Sequence, residues 1–154
     1  MIKKKKISYV ALSADILHEG HIKILKVAKK YGNVVVGLFT DKAIASYKSI
    51  PLLDYEKRKL IVENIKYVDK VISQNTLDHT KNLNLIKPDF VVHGDDWKKG
   101  VLKSTRKKVI STIKKWNGKL IEPKYTKNIS SKKIKNEILK IYTNPENRIS
   151  RLKR

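Results

Sequence analysis

Cysteine is absent, and glycine and proline are scarce, six and four in 154 residues. Without cysteine there is no disulfide scaffold and no thiolate metal site, a composition that fits a reducing compartment. Few Gly and Pro beside 40% hydrophobic residues exclude a collagen-like or low-complexity chain and indicate a globular one. Long apolar runs are missing too. The stretch Ile7–Leu12 behind Lys3 to Lys6 soon meets Ser13 and Asp15, too short for a signal-peptide core. Nowhere do about 20 apolar residues follow one another, as a membrane span requires. A soluble, cytoplasmic chain without a membrane partner is expected. At 17.8 kDa it is long enough to bury a core as a single domain, residues 1–142, followed by a basic tail, residues 143–154.

Acidic residues are in short supply, 14 against 36 Lys and Arg, for a formal charge of +22. Such a surface rewards phosphate-bearing partners. Arginine is nevertheless rare: lysine outnumbers it 31 to 5, whereas specific phosphate and base recognition favours the planar guanidinium. Lys, Ile and Asn are all encoded by A/T-rich codons, so an A/T-rich genome would by itself supply much of the charge. Neither an RNP-like motif nor a helix-turn-helix pattern accompanies it, and nucleic acid is not the expected partner. The excess is uneven. Residues 1–96 hold 17 basic and 11 acidic groups (+6), residues 97–154 hold 19 and 3 (+16). A multiply charged anion is expected at the C-terminal side. Arg148, Arg151 and Arg154, three of the five arginines, recur every third residue in the tail; a solvated terminus is the plainer reading, and fork geometry suited to phosphate or phosphonate oxygens the alternative.

The apolar segments alternate in type. Strands are predicted over 7–12, 34–39, 68–72, 90–92 and 120–121, and helices over 21–31, 55–66, 103–116 (Val109, Ile110, Ile113 and Trp116 inward) and from Ser130 or Ser131 through Ile141. Continuously apolar strands that alternate with helices mean a parallel sheet covered on both faces. The expectation is a single α/β domain, a Rossmann-like, doubly wound parallel sheet of five strands. Ligands bind such sheets beyond the carboxyl ends of the strands, where the strand order reverses. The loops that matter therefore follow Leu12, Phe39, Val92 and Ile121.

The first of these loops reads Ser13-Ala14-Asp15-Ile16-Leu17-His18-Glu19-Gly20-His21. Two imidazoles three residues apart at the mouth of a helix suit a phosphate. The helix start supplies unpaired N–H groups and a positive dipole, and Gly20 leaves room for anionic oxygens. Imidazoles can then donate to a phosphoryl oxygen as charge builds on it. Two surface histidines, or a zinc pair, are the quieter alternatives, the latter disfavoured because His79 and His93 have no matching spacing.

Asp15-Ile16-Leu17-His18-Glu19-Gly20-His21 resembles the D-x-x-H-x-G-H signature of the cytidylyltransferase-like nucleotidyltransferases. Further blocks follow in order: Tyr55-Glu56-Lys57-Arg58 opening a helix, His93-Gly94-Asp95-Asp96-Trp97 after a strand, and Ile129-Ser130-Ser131 opening the last helix. The chain is similar to glycerol-3-phosphate cytidylyltransferases. It is closer to the cytidylyltransferase domains that accompany phosphoenolpyruvate mutase in phosphonate biosynthesis, through its Ser-Ala-Asp entry, residues 40–48, and Glu122-Pro123 before Tyr125-Thr126. Two departures stand out. Leu12-Ser13-Ala14-Asp15 replaces the usual Gly-Thr-Phe-Asp, and Tyr125-Thr126-Lys127-Asn128 replaces a block that usually begins Arg-Thr with Gly before the Ile-Ser. Asn128 can keep a left-handed turn, and Lys127 is the candidate for the lost positive charge.

The resemblance implies CTP-dependent transfer of CMP to a small organophosphonate, such as 2-hydroxyethyl- or 2-aminoethylphosphonate, with release of pyrophosphate. Glycerol-3-phosphate is the alternative acceptor, and a basic nucleic-acid-binding protein without turnover the alternative class. It implies catalytic roles for His18 and His21 at the bridging and α-phosphate oxygens, with Lys127 and Lys48 adding charge. Nucleotide contacts fall to Ser13, Ala14, Asp15, Gly20, His93, Gly94, Asp95, Asp96, Tyr125, Ile129, Ser130 and Ser131, the two serines and the last helix start holding the β- and γ-phosphates. Arg58 and Trp97 are expected on the acceptor side, against the plainer roles of surface residue and packing residue. Mg²⁺ should be held mainly by the triphosphate rather than by protein ligands, and the family likeness implies a homodimer.

Overall fold

Alternation along the first strand dictates the architecture. Tyr9 and Ala11 face one side, Val10 and Leu12 the other, and all are buried, so this strand must lie between two helical layers. The computed structural model describes residues 5–143. In it, β1 (Ile7–Leu12) pairs in parallel with β2 (Asn33–Phe39) and with β4 (Phe90–Val92). Outside these lie β3 (Lys70–Gln74) and β5 (Lys119–Ile121), giving one five-stranded parallel sheet of order β3-β2-β1-β4-β5. This is the doubly wound α/β fold expected from the sequence.

One helical layer consists of α1 (Glu19–Tyr31) and α3 (Tyr55–Glu63), whose Leu25, Ala28 and Val62 close over Val10, Val34 and Val36. Burying Leu25 alone contributes about 1.5–3 kcal/mol. The other layer holds α2 (Asp41–Ala45), α4 (Thr80–Ile86) and α5 (Lys103–Ile113), with Ile44, Leu83, Val109 and Ile113 against Tyr9, Val35 and Val91. The chain runs outward from β1 through β2 to β3, then crosses to β4 and β5, so the order reverses between β1 and β4. Their carboxyl ends open the crevice where such sheets bind ligands.

The last helix, α6 (Ser131–Thr143), buries none of its side chains and joins neither layer. It lies against the loop after β1 through polar contacts. The tail arginines Arg148, Arg151 and Arg154 lie outside the described residues.

Several boundaries differ from the sequence reading. The third strand begins at Lys70 rather than Val68, because the Val68 N–H closes a turn on Ile65 O (2.8 Å) and the Asp69 carboxylate accepts from Val34 N (2.7 Å). α3 stops at Glu63, three residues early, at an Asn64 cap. Helix α4 went unpredicted: it is seven residues long, lacks a side-chain cap and buries only Leu83, too little to register as a period. Ile110, expected inward, is 37% exposed, and Thr112 is buried instead. Residues 114–116 tighten into a 3-10 turn.

Candidate active site

The four loops that follow β1, β2, β4 and β5 converge, with the start of α6, on a cavity of about 790 Å³. Its floor is apolar, from Val10, Ala11, Phe39 and Val92, and its walls are polar.

The loop after β1 is built by its own backbone. His18 is the N-cap of α1: its Nδ1 accepts from Gly20 N (3.1 Å), and its carbonyl accepts from His21 N (3.0 Å). His21 reciprocates, its Nδ1 accepting from His18 N (3.3 Å). A capping box usually uses Ser or Thr with Glu or Gln; here two imidazoles do both jobs. The consequence is chemical. With both Nδ1 atoms accepting, each neutral ring carries its proton on Nε2. The rings lie 4.1 Å apart at the cavity wall. Burial lowers the His18 pKa, and burial together with His18 and Lys48 brings His21 down to about 4. Both imidazoles are therefore neutral donors at pH 7. Gly20 is required by this arrangement, because a Cβ there would meet the His18 ring at 2.9 Å.

The turn before the histidines is held from three directions. Ala14 has φ 48°, a left-handed conformation that costs a non-glycine residue about 1–3 kcal/mol. It persists because both neighbours are fixed. Ser13 O accepts from Arg58 (2.6 Å), and Ser13 Oγ bonds Tyr47 Oη (2.8 Å). Asp15 is 5% exposed; its Oδ1 accepts from Leu52 N (2.7 Å) and its Oδ2 from Lys135 Nζ of α6.

Across the cavity stands the opening of α6. Ser130 caps the helix, its Oγ accepting from Lys133 N (3.2 Å) and its carbonyl from Ile134 N (3.0 Å). Ser131 Oγ donates to Ile16 O (3.1 Å), tying the helix start to the histidine loop. Asn128 has φ 66°, so it takes the left-handed turn foreseen for it. The wall after β4 holds His93, Gly94 and Asp96. His93 lies flat on Trp97 (3.8 Å, 6°) and its Nδ1 donates to Gly94 O (2.8 Å). Burial lowers the His93 pKa and raises that of Asp96. Tyr125 sits across from Gly94, its N–H donating to Asp95 Oδ1 (2.9 Å) and its hydroxyl to Ile129 O (3.3 Å).

Most of the expected site residues thus share one cavity. Ser13, Asp15, His18, Gly20 and His21 line it on one side, and Lys48, His93, Gly94 and Asp96 on others. Tyr125, Ile129, Ser130 and Ser131 complete it. Ala14 and Asp95 stand behind this lining as backbone and bracing residues. Three expectations need correction. Arg58 is 1% exposed, and its guanidinium is spent on Leu53 O (3.0 Å), Ser13 O and Asp41 Oδ1 (2.6 Å), so it braces the turn instead of meeting an acceptor. Trp97 is likewise 1% exposed: it backs His93 and donates Nε1–H to Glu122 (2.7 Å), whose carboxyl Arg106 holds down at a pKa of about 2. Lys127 is exposed on the turn before Asn128 and does not line the cavity. Lys132 and Lys135, one turn into α6, do. The missed Lys132 and Lys135 carry no local signal in a chain so rich in lysine, and Tyr47 joins the site only when the fold brings its hydroxyl to Ser13. No three His, Asp or Glu side chains converge as a metal cluster among the described residues, and no described helix is long and apolar enough to cross a membrane.

Comparison with known proteins bears on this geometry. The profile of the family described as Cytidylyltransferase-like matches residues 13–137. Glycerol-3-phosphate cytidylyltransferase of Bacillus subtilis is 41% identical over 97 residues, 61% of this chain and 73% of that protein. FAD synthase of Archaeoglobus fulgidus is 38% identical over 82 residues, 53% of this chain and 60% of that protein, so the match spans less than two thirds of that relative. Among solved structures, a lipopolysaccharide core biosynthesis protein from Thermoplasma volcanium superposes with a TM-score of 0.67 at 27% identity, over 79% of this chain and 98% of that one. Pantoate-beta-alanine ligase from Francisella tularensis shares the fold alone, with a TM-score of 0.55 at 18% identity, over 94% of this chain and 74% of that one.

Proposed function

Since the chain belongs to the cytidylyltransferase-like family of nucleotidyltransferases, we propose that it transfers CMP from CTP to a small organophosphonate and releases pyrophosphate. The observation that carries this reading is the pair of neutral imidazoles, fixed as Nε2–H donors by the backbone, facing the open end of α6 across one cavity.

In this reaction an acceptor oxygen attacks the α-phosphorus in line, the new P–O bond forms, and the bond to the bridging oxygen breaks as pyrophosphate leaves. The attacking oxygen is already anionic, so no protein nucleophile or base is needed, and catalysis reduces to positioning and charge stabilisation. His18 and His21 donate to the α-phosphate and bridging oxygens as charge moves onto them. The Ser130 hydroxyl and the backbone N–H groups of Ser131 and Lys132, in the first turn of α6, take the β- and γ-phosphates, while the Ser131 hydroxyl keeps its bond to Ile16 O. Lys48 and Lys132, lining the cavity, add charge in place of the missing arginine. Asp96, Gly94 and His93 take the nucleoside end. Mg²⁺ would be held mainly by the triphosphate rather than by side chains of this cavity, and would supply neutralisation of the phosphate charge. Asp15 fits this division of labour, since both its oxygens are already engaged.

The lining carboxylates are Asp15 and Asp96, and Asp15 is paired with Lys135. Asp15 is thus engaged and Asp96 belongs to the nucleoside end in this reading, which favours a hydroxyl-bearing acceptor over an amino-bearing one. Glycerol-3-phosphate is the second reading, supported by the Bacillus subtilis relative, and the FAD synthases raise ATP as the alternative nucleotide. A homodimer belongs to the same reading, supported by the exposed Ile50, Leu52 and Leu60. Pyrophosphate release with CTP or ATP against 2-hydroxyethylphosphonate, 2-aminoethylphosphonate and glycerol-3-phosphate tests it, beside salt-dependent DNA and RNA binding. CTP with 2-hydroxyethylphosphonate should turn over fastest. Preference for ATP, or nucleic-acid binding without turnover, would overturn the proposal.

A further inference from the structure

α6 forms one wall of the cavity yet buries no side chain. Hydrophobic packing, which fixes the five other helices, therefore holds this one weakly. Two polar ties stand in its place, four residues apart and so on one face of the helix. Ser131 Oγ donates to Ile16 O, and Lys135 Nζ donates to Asp15 Oδ2. Both acceptors belong to the segment that leads into His18.

The Asp15 carboxylate has the better-defined role. Its side chain is 4% exposed, and its other oxygen accepts from Leu52 N (2.7 Å) in the segment leading to α3. One buried carboxylate thus joins the histidine loop, that segment and α6. A buried charge is tolerated only when paired and hydrogen-bonded, and the partner here comes from 120 residues away. Resting on the nucleotidyl-transfer reading above, we propose that Lys135 is a positioning residue: through Asp15 it clasps α6 to the histidine loop, setting the distance between the triphosphate-holding helix start and the two imidazoles.

Two measurements test the clasp. The first needs no nucleotide. Hydrogen exchange should quicken across Ser131–Thr143 in Lys135→Met and in Asp15→Asn, no further in the double variant, and stay near native in Lys135→Arg. Unchanged protection of α6 in Lys135→Met would overturn the clasp. The second compares CTP with CMP binding. Each single variant should lose roughly 10–100-fold of the preference for CTP, the scale of a misplaced positioning group, and the double variant should lose no more. A cation acting directly on the triphosphate would give additive losses instead and refute the positioning role, as would a full CTP preference in Lys135→Met. Should the unmodified protein fail to prefer CTP over CMP, the nucleotide assignment is what falls, and the exchange experiment still decides the clasp.

Discussion

The two walls of the cavity are built on opposite principles. The β1–α1 wall grows out of the core: β1 is central, Leu25 and Ala28 of α1 are buried, and the histidine rings are aimed by hydrogen bonds within four residues of sequence. The α6 wall has no core contact of its own and takes its place from Ser131 and Lys135. Rigidity from packing is insensitive to any one polar group, whereas a wall held by a few polar ties is as firm as those ties. The first wall suits chemistry that tolerates little displacement. The second suits a part that can open to admit and release a large anion.

The largest expected effect lies on the packed wall. His18→Ala or His21→Ala should lower turnover by roughly 10²–10³-fold, the size seen for loss of one transition-state donor, with little change in CTP affinity. Steady-state kinetics beside equilibrium binding separates the two quantities, and near-native turnover in the double variant would break the comparison. On the tied wall, Ser130→Ala with Ser131→Ala should weaken CTP more than CMP. Equal losses would reduce Ser130 to a helix cap, worth about 1 kcal/mol of stability, and Ser131 to its tie to Ile16 O. Lys132→Ala should raise the KM for CTP several-fold, about 1 kcal/mol of a screened charge contact, while Lys127→Ala should leave it alone. The reverse would restore Lys127 to the site.

A last effect, on stability rather than on activity, concerns acid pH. His21, at about 4, and His79, lowered by burial to about 3, both titrate below the ordinary histidine value of 6.5. The unfolded chain then binds more protons than the folded one, so stability falls as pH drops from 6.5 towards 4, by at most about 1.4 kcal/mol per pH unit for each histidine. His79 Nδ1 is buried without a partner among aromatic rings. His79→Phe should therefore flatten the loss between pH 6.5 and 4 in denaturant titrations. An unaltered slope would place the proton uptake elsewhere.

The sequence alone was enough for the sheet, for four of the longer helices and for the histidine loop, because each rests on neighbours in the chain. Apolar runs declare a strand buried on both faces, and a His-x-Gly-His turn contains its own capping bonds. Asn128 was legible for the same reason, since a left-handed turn is a property of one residue. Arg58 and Trp97 could not be placed that way. Whether a guanidinium meets a substrate or Ser13 O, and whether an indole faces a cavity or Glu122, depends on partners 45 and 25 residues distant. Lys135 is the extreme case: among 31 lysines nothing marks it until the fold brings it to Asp15. Local periodicity and capping are written in consecutive residues. Which of many equal charges meets a buried carboxylate is decided only when the chain closes, because burial and pairing are properties of the assembled site.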